Sequence, residues 1–281
     1  MNTIYQDELK YHVATLSGGQ DSTAMVLRML ELGLRLDHIL FCDTGAEFKD
    51  MYEYIKRVDI FIQNKYNKNI TYLTGDTLVD GIKKKIGIRG SAENIGRPRG
   101  IPRLVGMSFC TRDLKVNRIT KFVNNLDKDV ILYNGYTYNE VLRNRGDALK
   151  RLKDNYCYPH YFWHWNETQI TNYLKDIDLF NPLYNHYNRT GCYMCPKQST
   201  KSWYSLYKYY NAEFQEAKRI EKWCIDNNAV NTSFIYRLSK NTKKMEFVSL
   251  DRLEEEFIEK DKQTTIFDFI DDGQETSCLC H

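Results

Sequence analysis

The run Ser17-Gly18-Gly19-Gln20-Asp21-Ser22-Thr23 combines paired glycines, hydroxyls and a carboxyl in one short stretch. Paired glycines allow a tight turn in which successive backbone N–H groups point at one place. When a helix follows at once, its positive N-terminal end faces the same place, and the two together cradle an anion such as phosphate. The hydroxyls of Ser17, Ser22 and Thr23 add donors. Asp21 repels a phosphate unless a metal or a hydrogen-bond network intervenes, so it is assigned an organising role, with Mg2+ as the candidate cation. A plain helix cap accounts for Gly18 or Asp21 singly, but not for the whole string between a strand and a helix. The spacing fits neither the Walker phosphate loop nor the Gly-x-Gly-x-x-Gly dinucleotide turn.

Sulfur forms the second constellation. The chain carries eight cysteines, a number that in a cytosolic protein points to metal ligation or thiol chemistry more than to a disulfide framework. Gly191-Cys192-Tyr193-Met194-Cys195-Pro196 places two thiols in a turn flanked by glycine and proline, which is half of a tetrahedral metal or cluster site. Cys110 and Cys157 are the best candidates for the other half, with Cys278 and Cys280 next. A redox Cys-x-x-Cys is the competing function, although that motif normally opens a helix in a much smaller fold. Cys42 and Cys224 read as buried small apolar residues. His160 and His164 stand four apart among aromatic residues and are read as hydrogen-bonded core histidines rather than a site.

The elements that must position these residues alternate. Tyr11-His12-Val13-Ala14-Thr15-Leu16 reads as a first, central strand, and Met25, Val26, Met29, Leu30 and Leu32 recur at helical spacing up to Gly33. His38 to Cys42, Ile70 to Leu73 and Val130 to Tyr133 are further strand candidates, with a helical stripe from Met51 to Ile62 between the first two of these. Strands alternating with helices predict an α/β fold, a parallel, doubly wound, Rossmann-like sheet. Residues 87–106, rich in glycine and proline, read as a long, basic, mobile loop. Residues 1–200 are expected to form the catalytic domain and 201–281 a helical, cysteine-bearing extension with an acidic tail.

At 281 residues, with 42% hydrophobic and 27% charged, the chain can bury one substantial core. The net charge of +3 averages over opposed segments. Between Lys83 and Lys121 positive residues dominate, opposed only by Glu93 and Asp113, which suits an anionic substrate or nucleic acid. No apolar run is long enough for a membrane span, and Met1 to Asp7 lack the layout of a secretory leader, so a cytoplasmic location is expected. The oligomeric state is not readable.

Ser17 to Ser22 resembles the SGGxDS signature of the PP-loop superfamily of adenine nucleotide alpha hydrolases. Asp43-Thr44-Gly45-Ala46-Glu47-Phe48 is similar to the DTGxEF segment of its PAPS reductase-like branch, and Cys110-Thr111-Arg112-Asp113-Leu114-Lys115 to the CTxxLK segment. Asn134-Gly135-Tyr136-Thr137 to Arg143 matches a fourth segment imperfectly: Thr137 stands where relatives place an arginine, so one anion contact is either absent or supplied by Arg143 or Arg145. The resemblance covers roughly residues 11–223. It implies a HUP-type sheet and a nucleotide site of Ser17, Gly18, Gly19, Gln20, Asp21, Ser22, Thr23, Asp43, Thr44, Gly45, Glu47, Gly135 and Arg143. Asp21, Arg112 and Lys115 are its catalytic candidates. Cys280 joins them because the branch delivers a nucleophilic cysteine from a C-terminal segment that Cys278-Leu279-Cys280-His281 half matches. A metal is also implied, a four-iron iron–sulfur cluster ahead of zinc, on Cys110, Cys157, Cys192 and Cys195. The expected activity is sulfur chemistry on ATP or on PAPS/APS, the latter with a thioredoxin-like reductant. The alternatives are an ATP-dependent sulfurtransferase acting on DNA or tRNA, and a non-catalytic nucleotide- and metal-binding subunit of a modification or defence complex.

Overall fold

A computed structural model of the chain describes residue 4 and residues 6–143, 155–238 and 245–262. Arg145, Cys278, Cys280 and His281 lie outside the described residues. Five strands form one sheet: β1 (Tyr11–Thr15), β2 (His38–Cys42), β3 (Ile70–Leu73), β4 (Val130–Tyr133) and β5 (Tyr156–Cys157). Their order is β3-β2-β1-β4-β5, and each neighbouring pair is parallel, with Val13 opposite His38 on one side and Leu132 on the other. The three middle residues of β1 and of β2 are buried, as expected of strands covered by helices on both faces. β5 was not expected, because two residues are too few to carry a period.

From β1 the chain winds outward to β3 and then returns to the other side for β4. The strand order therefore reverses beside β1, and in open α/β sheets such a reversal leaves a crevice at the carboxyl ends of the strands. Helix α1 (Gln20–Glu31) rises from that edge and α2 (Lys49–Tyr66) follows β2. Helix α1 starts five residues before Met25, the first position its apolar pattern marks, since the opening turn carries the polar half of the glycine run.

Helix α3 (Leu78–Lys83) begins with a reciprocal cap between Thr77 and Asp80. After it, residues 84–101 are held by hydrogen bonds rather than free. Ile86 N–H donates to Arg97 O at 2.9 Å, the Arg97 guanidinium donates to the carbonyls of Asn228 and Ala229, and Ile101 N–H donates to Asn231 O at 2.8 Å. Gly100, at φ +77°, is required here because a β-carbon would lie 1.9 Å from Asn231 O. The partner is some 130 residues away, so no local pattern could announce it.

A three-residue helix, α4 (Phe109–Thr111), runs through a π-helical turn at Arg112–Val116 into α5 (Asn117–Asn124). Of the short helices α6 (Tyr138–Arg143), α7 (Pro159–Trp163) and α8 (Glu167–Asp176), α6 packs on α7, and α7 and α8 pack on α1. The C-terminal part is not purely helical: α9 (Thr200–Tyr209) and α10 (Asn211–Asp226) are followed by an antiparallel pair, β6 (Ile235–Leu238) and β7 (Met245–Val248), and then α11 (Leu250–Lys262). Trp203, Phe214, Phe234 and Phe257 belong to the same hydrophobic core as Met25, Phe41 and Met51. Among the described residues no helix is long and apolar enough to cross a membrane.

Candidate functional site

The glycine run leaves β1 at the reversal point. Gly18 has φ +80°, and a β-carbon on it would meet Met51 Sδ at 2.3 Å, so the residue must be glycine for both backbone and space. Gly19, extended, caps α1 and offers no side chain. The hydroxyls close the turn: Ser17 N–H donates to Ser22 Oγ at 3.0 Å, Ser17 Oγ and Ser22 Oγ are 3.0 Å apart, and Ser22 Oγ and Thr23 Oγ1 donate to Gly19 O at 3.1 and 3.0 Å. Gln20 N–H donates to the Tyr184 hydroxyl at 3.1 Å. The acceptors on these amides are neutral hydroxyls, which an anion displaces with a gain in hydrogen-bond strength.

The loop after β4 seals one flank. A β-carbon on Gly135 would come within 2.7 Å of Ser22 Cα, so the backbone there lies directly against the first turn of α1. Asp21 lies on that turn. Burial first, then the charges of Glu140 and Glu167, push its carboxyl up to about 7, and its Oδ1 is buried without a hydrogen-bond partner among the described residues. Thr137 spans these acids: its N–H donates to Glu140 and its hydroxyl to Glu167. Where an arginine was expected there is thus a cap for α6. Arg143 is exposed at the end of that helix.

The loop after β2 forms the other flank. Asp43 Oδ1 accepts from Gly45 N–H at 2.8 Å and from the Tyr52 hydroxyl at 2.6 Å, while Thr44 Oγ1 donates to buried Glu47 at 2.9 Å. Gly45, at φ +68°, packs on Thr77. Arg118 braces the loop from below through the carbonyls of Asp43, Leu73 and Asp76.

Sulfur meets charge next to this flank. An antiparallel bridge pairs Glu47 with Cys192, and Tyr193 N–H donates to Ala46 O at 3.0 Å. Lys115, on the π-helical turn, is buried at its ammonium; burial favours the neutral form, but Glu47 and then the thiols of Cys192, Cys110 and Cys42 outweigh it and hold the charge. Glu47 is itself raised by burial, with Lys115 and Thr44 pulling it back. Cys192 hydrogen-bonds to Cys195, which holds Cys192 well above and Cys195 below the ordinary thiol range; a backbone N–H at Lys197 and the charges of Arg189 and Lys115 add to the lowering at Cys195.

Cys110 pairs with Ser108 Oγ at 2.9 Å. Cys157 stands elsewhere, buried at the end of β5 with its thiol pushed up to about 12 by burial. Among the described residues no group of three or more His, Cys, Asp or Glu side chains is arranged to hold a metal ion. Among the described residues the four expected ligands are thus not gathered into one group; Cys278 and Cys280, the next candidates, lie outside the described residues. Arg112 stands outside the site too, exposed and paired with Asp113, which Arg99 shares.

No family model matches the chain. It is similar to two uncharacterized proteins of Methanocaldococcus jannaschii. One, MJ0973, is 24% identical over 188 residues, covering 65% of this chain and 40% of that protein. The other, MJ0066, is 26% identical over 204 residues, covering 70% of this chain and 38% of that protein. The chain spans about two fifths of the length of these relatives.

Several residues that hold the site escaped sequence reasoning. Asn181 Nδ2 donates to Gly18 O at 2.9 Å, Thr171 Oγ1 to Gln20 Oε1 at 2.9 Å, and the Tyr184 hydroxyl lies 3.2 Å from Thr190 Oγ1. Only Asn181-Pro182 carried a signal, as a turn dipeptide. His160, read as a hydrogen-bonded core residue, is completely buried and donates from Nε2 to Asp21 O at 2.8 Å. His164 does not share its face; it ends α7 in a left-handed conformation.

Proposed function

We propose that the chain is an enzyme that binds an adenine nucleotide, ATP or PAPS/APS, by its phosphate end at residues 17–23 and carries out sulfur chemistry on it, as in the PAPS reductase-like branch of the PP-loop superfamily. One observation carries this reading. The glycine turn leaves the central strand where the strand order reverses, with Gly135 of the loop after β4 against the first turn of α1 and Met51 of α2 against Gly18. With ATP, the turn holds the departing pyrophosphate while an acceptor oxygen attacks the alpha-phosphorus. With PAPS or APS, the turn holds the nucleotide and a thiolate attacks sulfur. In both cases the work of the residues described is to orient the anion and neutralise its charge. Lys115 is the buried cation on hand for that.

A second reading, an ATP-dependent sulfurtransferase acting on nucleic acid, draws on a cavity of about 390 Å³ next to the Asp43 loop, where Lys84, Arg99 and Arg118 outnumber Asp76 and Asp113. Phosphate contacts there would make binding fall steeply with salt, which small-nucleotide turnover would not.

The test is to titrate ATP and PAPS separately into the chain by calorimetry and then analyse products. Pyrophosphate release supports the ATP branch and sulfite the reductive one, while binding without turnover favours a non-catalytic subunit. Ser17→Ala removes an exposed donor from the turn and is expected to weaken nucleotide binding by about 5–10-fold. Failure of both nucleotides to bind sinks the proposal.

A further inference from the structure

We infer that Tyr184 and Thr190, from the segment between α8 and α9, are direct ligands of the anion at the glycine turn, donating from their hydroxyls to oxygens of its phosphate or sulfate group. This role rests on the reading that residues 17–23 take the phosphate end of a nucleotide. Gly19 stands at φ −69° and ψ 156°, a conformation open to any residue, so its lack of a side chain is not a backbone requirement. What it leaves open is a ring of oxygens. A β-carbon on Gly19 would lie 3.3 Å from Thr190 Oγ1, 3.4 Å from the Tyr184 hydroxyl and 3.5 Å from Ser17 Oγ. Ser17 is exposed, and Gly19, Tyr184 and Thr190 are partly so, which lets a ligand reach the spot where the three hydroxyls converge.

The hydroxyls are poised to donate there. The Tyr184 hydroxyl accepts the Gln20 N–H at 3.1 Å and lies 3.2 Å from Thr190 Oγ1. Two hydroxyls carry two protons, and the single bond between them uses one, so among the described residues one proton of the pair has no acceptor. An anion resting on Gly19 supplies that acceptor. Nor does the segment need these hydroxyls to stay in place. Asn181 Nδ2 donates to Gly18 O at 2.9 Å, Asn181 Oδ1 accepts from Leu183 N–H at 3.0 Å, and Leu183 is completely buried. Anchoring thus falls to Asn181 and Leu183, and Tyr184 and Thr190 are left to face the turn.

Tyr184→Phe and Thr190→Val each remove one hydroxyl and keep the shape of the side chain. Calorimetric titrations of ATP, PAPS and inorganic pyrophosphate into the full chain and both variants read the effect, with urea unfolding of each protein alongside. Each variant is expected to bind whichever probe the wild type binds about tenfold more weakly, because hydrogen bonds to a charged acceptor are the strong ones. Thr190→Ser keeps the hydroxyl and should bind within about twofold of wild type. If Tyr184 only occupies the Gln20 amide until a ligand arrives, Tyr184→Phe will bind as tightly as wild type or more tightly, and that result overturns the assignment. Wild-type affinity in Thr190→Val, or equal weakening in Thr190→Ser, overturns it for Thr190 and leaves the nucleotide reading standing. Should Tyr184→Phe misfold, the comparison of valine with serine at position 190 decides alone. Binding of pyrophosphate but of neither nucleotide, with the same losses in the variants, keeps both hydroxyls at the turn and removes the nucleotide. A wild-type chain that binds none of the three probes ends both.

Discussion

Replacing Gly135 by alanine tests the placement of the whole site. The added carbon would sit 2.7 Å from Ser22 Cα, 2.8 Å from Ser22 N and 2.9 Å from Asp21 C, whereas ordinary contact begins at 3.4 Å. All three atoms are backbone, so no side-chain rotation relieves the overlap, and α1 and the loop after β4 must separate by about 0.7 Å. The loop cannot easily give way. Its Asn134 Oδ1 accepts from Thr15 Oγ1 at 2.7 Å, and Asn134 N–H donates to Cys157 O at 3.0 Å.

Overpacking of this kind costs about 1–3 kcal/mol. The displaced atoms belong to the turn whose amides must converge on an anion, so a nucleotide bound there should also weaken by about tenfold or more, given how steeply function depends on sub-ångström placement. Equilibrium unfolding in urea gives the first quantity and calorimetric titration of ATP or PAPS the second. Gly87→Ala is the control, since nothing lies within 4 Å of its added carbon. Wild-type stability in Gly135→Ala would refute the packing of this loop on α1. Lost stability with unchanged affinity would keep the packing and remove the nucleotide from this turn.

Three further outcomes follow from single contacts. The Asp21 carboxyl, raised from 3.8 to about 7, makes the native chain bind its proton more tightly than the unfolded chain does. Stability should therefore fall as pH rises through that window and level off above it, and Asp21→Asn should flatten the slope in urea unfolding at stepped pH; an unchanged slope would refute the assignment. Glu221, buried in α10, accepts from Leu250 N–H at 2.6 Å and Phe234 N–H at 3.4 Å. Glu221→Ala strands both amides and should cost about 2–4 kcal/mol, with the midpoint of thermal unfolding as the check. Gly100→Ala forces a left-handed alanine against Asn231 O and should release residues 84–101, seen as faster limited proteolysis in that segment with cleavage elsewhere unchanged.

What could be read in advance was what is local. The strand Tyr11–Thr15, the glycine turn and the helix after it are consecutive, so hydrophobic period and turn chemistry mark them directly, and the parallel arrangement of β1 to β4 follows from repeating that unit. The flanks of the site are not local. Tyr184 reaches Gln20 across 164 residues, Asn181 reaches Gly18 across 163 and His160 reaches Asp21 across 139, and none of these residue types stands out in its own neighbourhood.

The same limit explains why Cys157 was placed with Cys192 and Cys195. Cys157 was preferred over other thiols for lying near an expected strand end, whereas β5, two residues long and without a visible period, put it at the far edge of the sheet. Lys115 marks the other extreme. Its position was singled out by motif, but its charge is kept by Glu47 and by thiols from the end of β2, from α4 and from the segment between α8 and α9, around a π-helical turn that no helical pattern announces. A cation held among thiols from three distant stretches of chain is assembled by topology; the sequence supplies the parts, and only the fold of the parallel sheet and the segments around it sets them against each other.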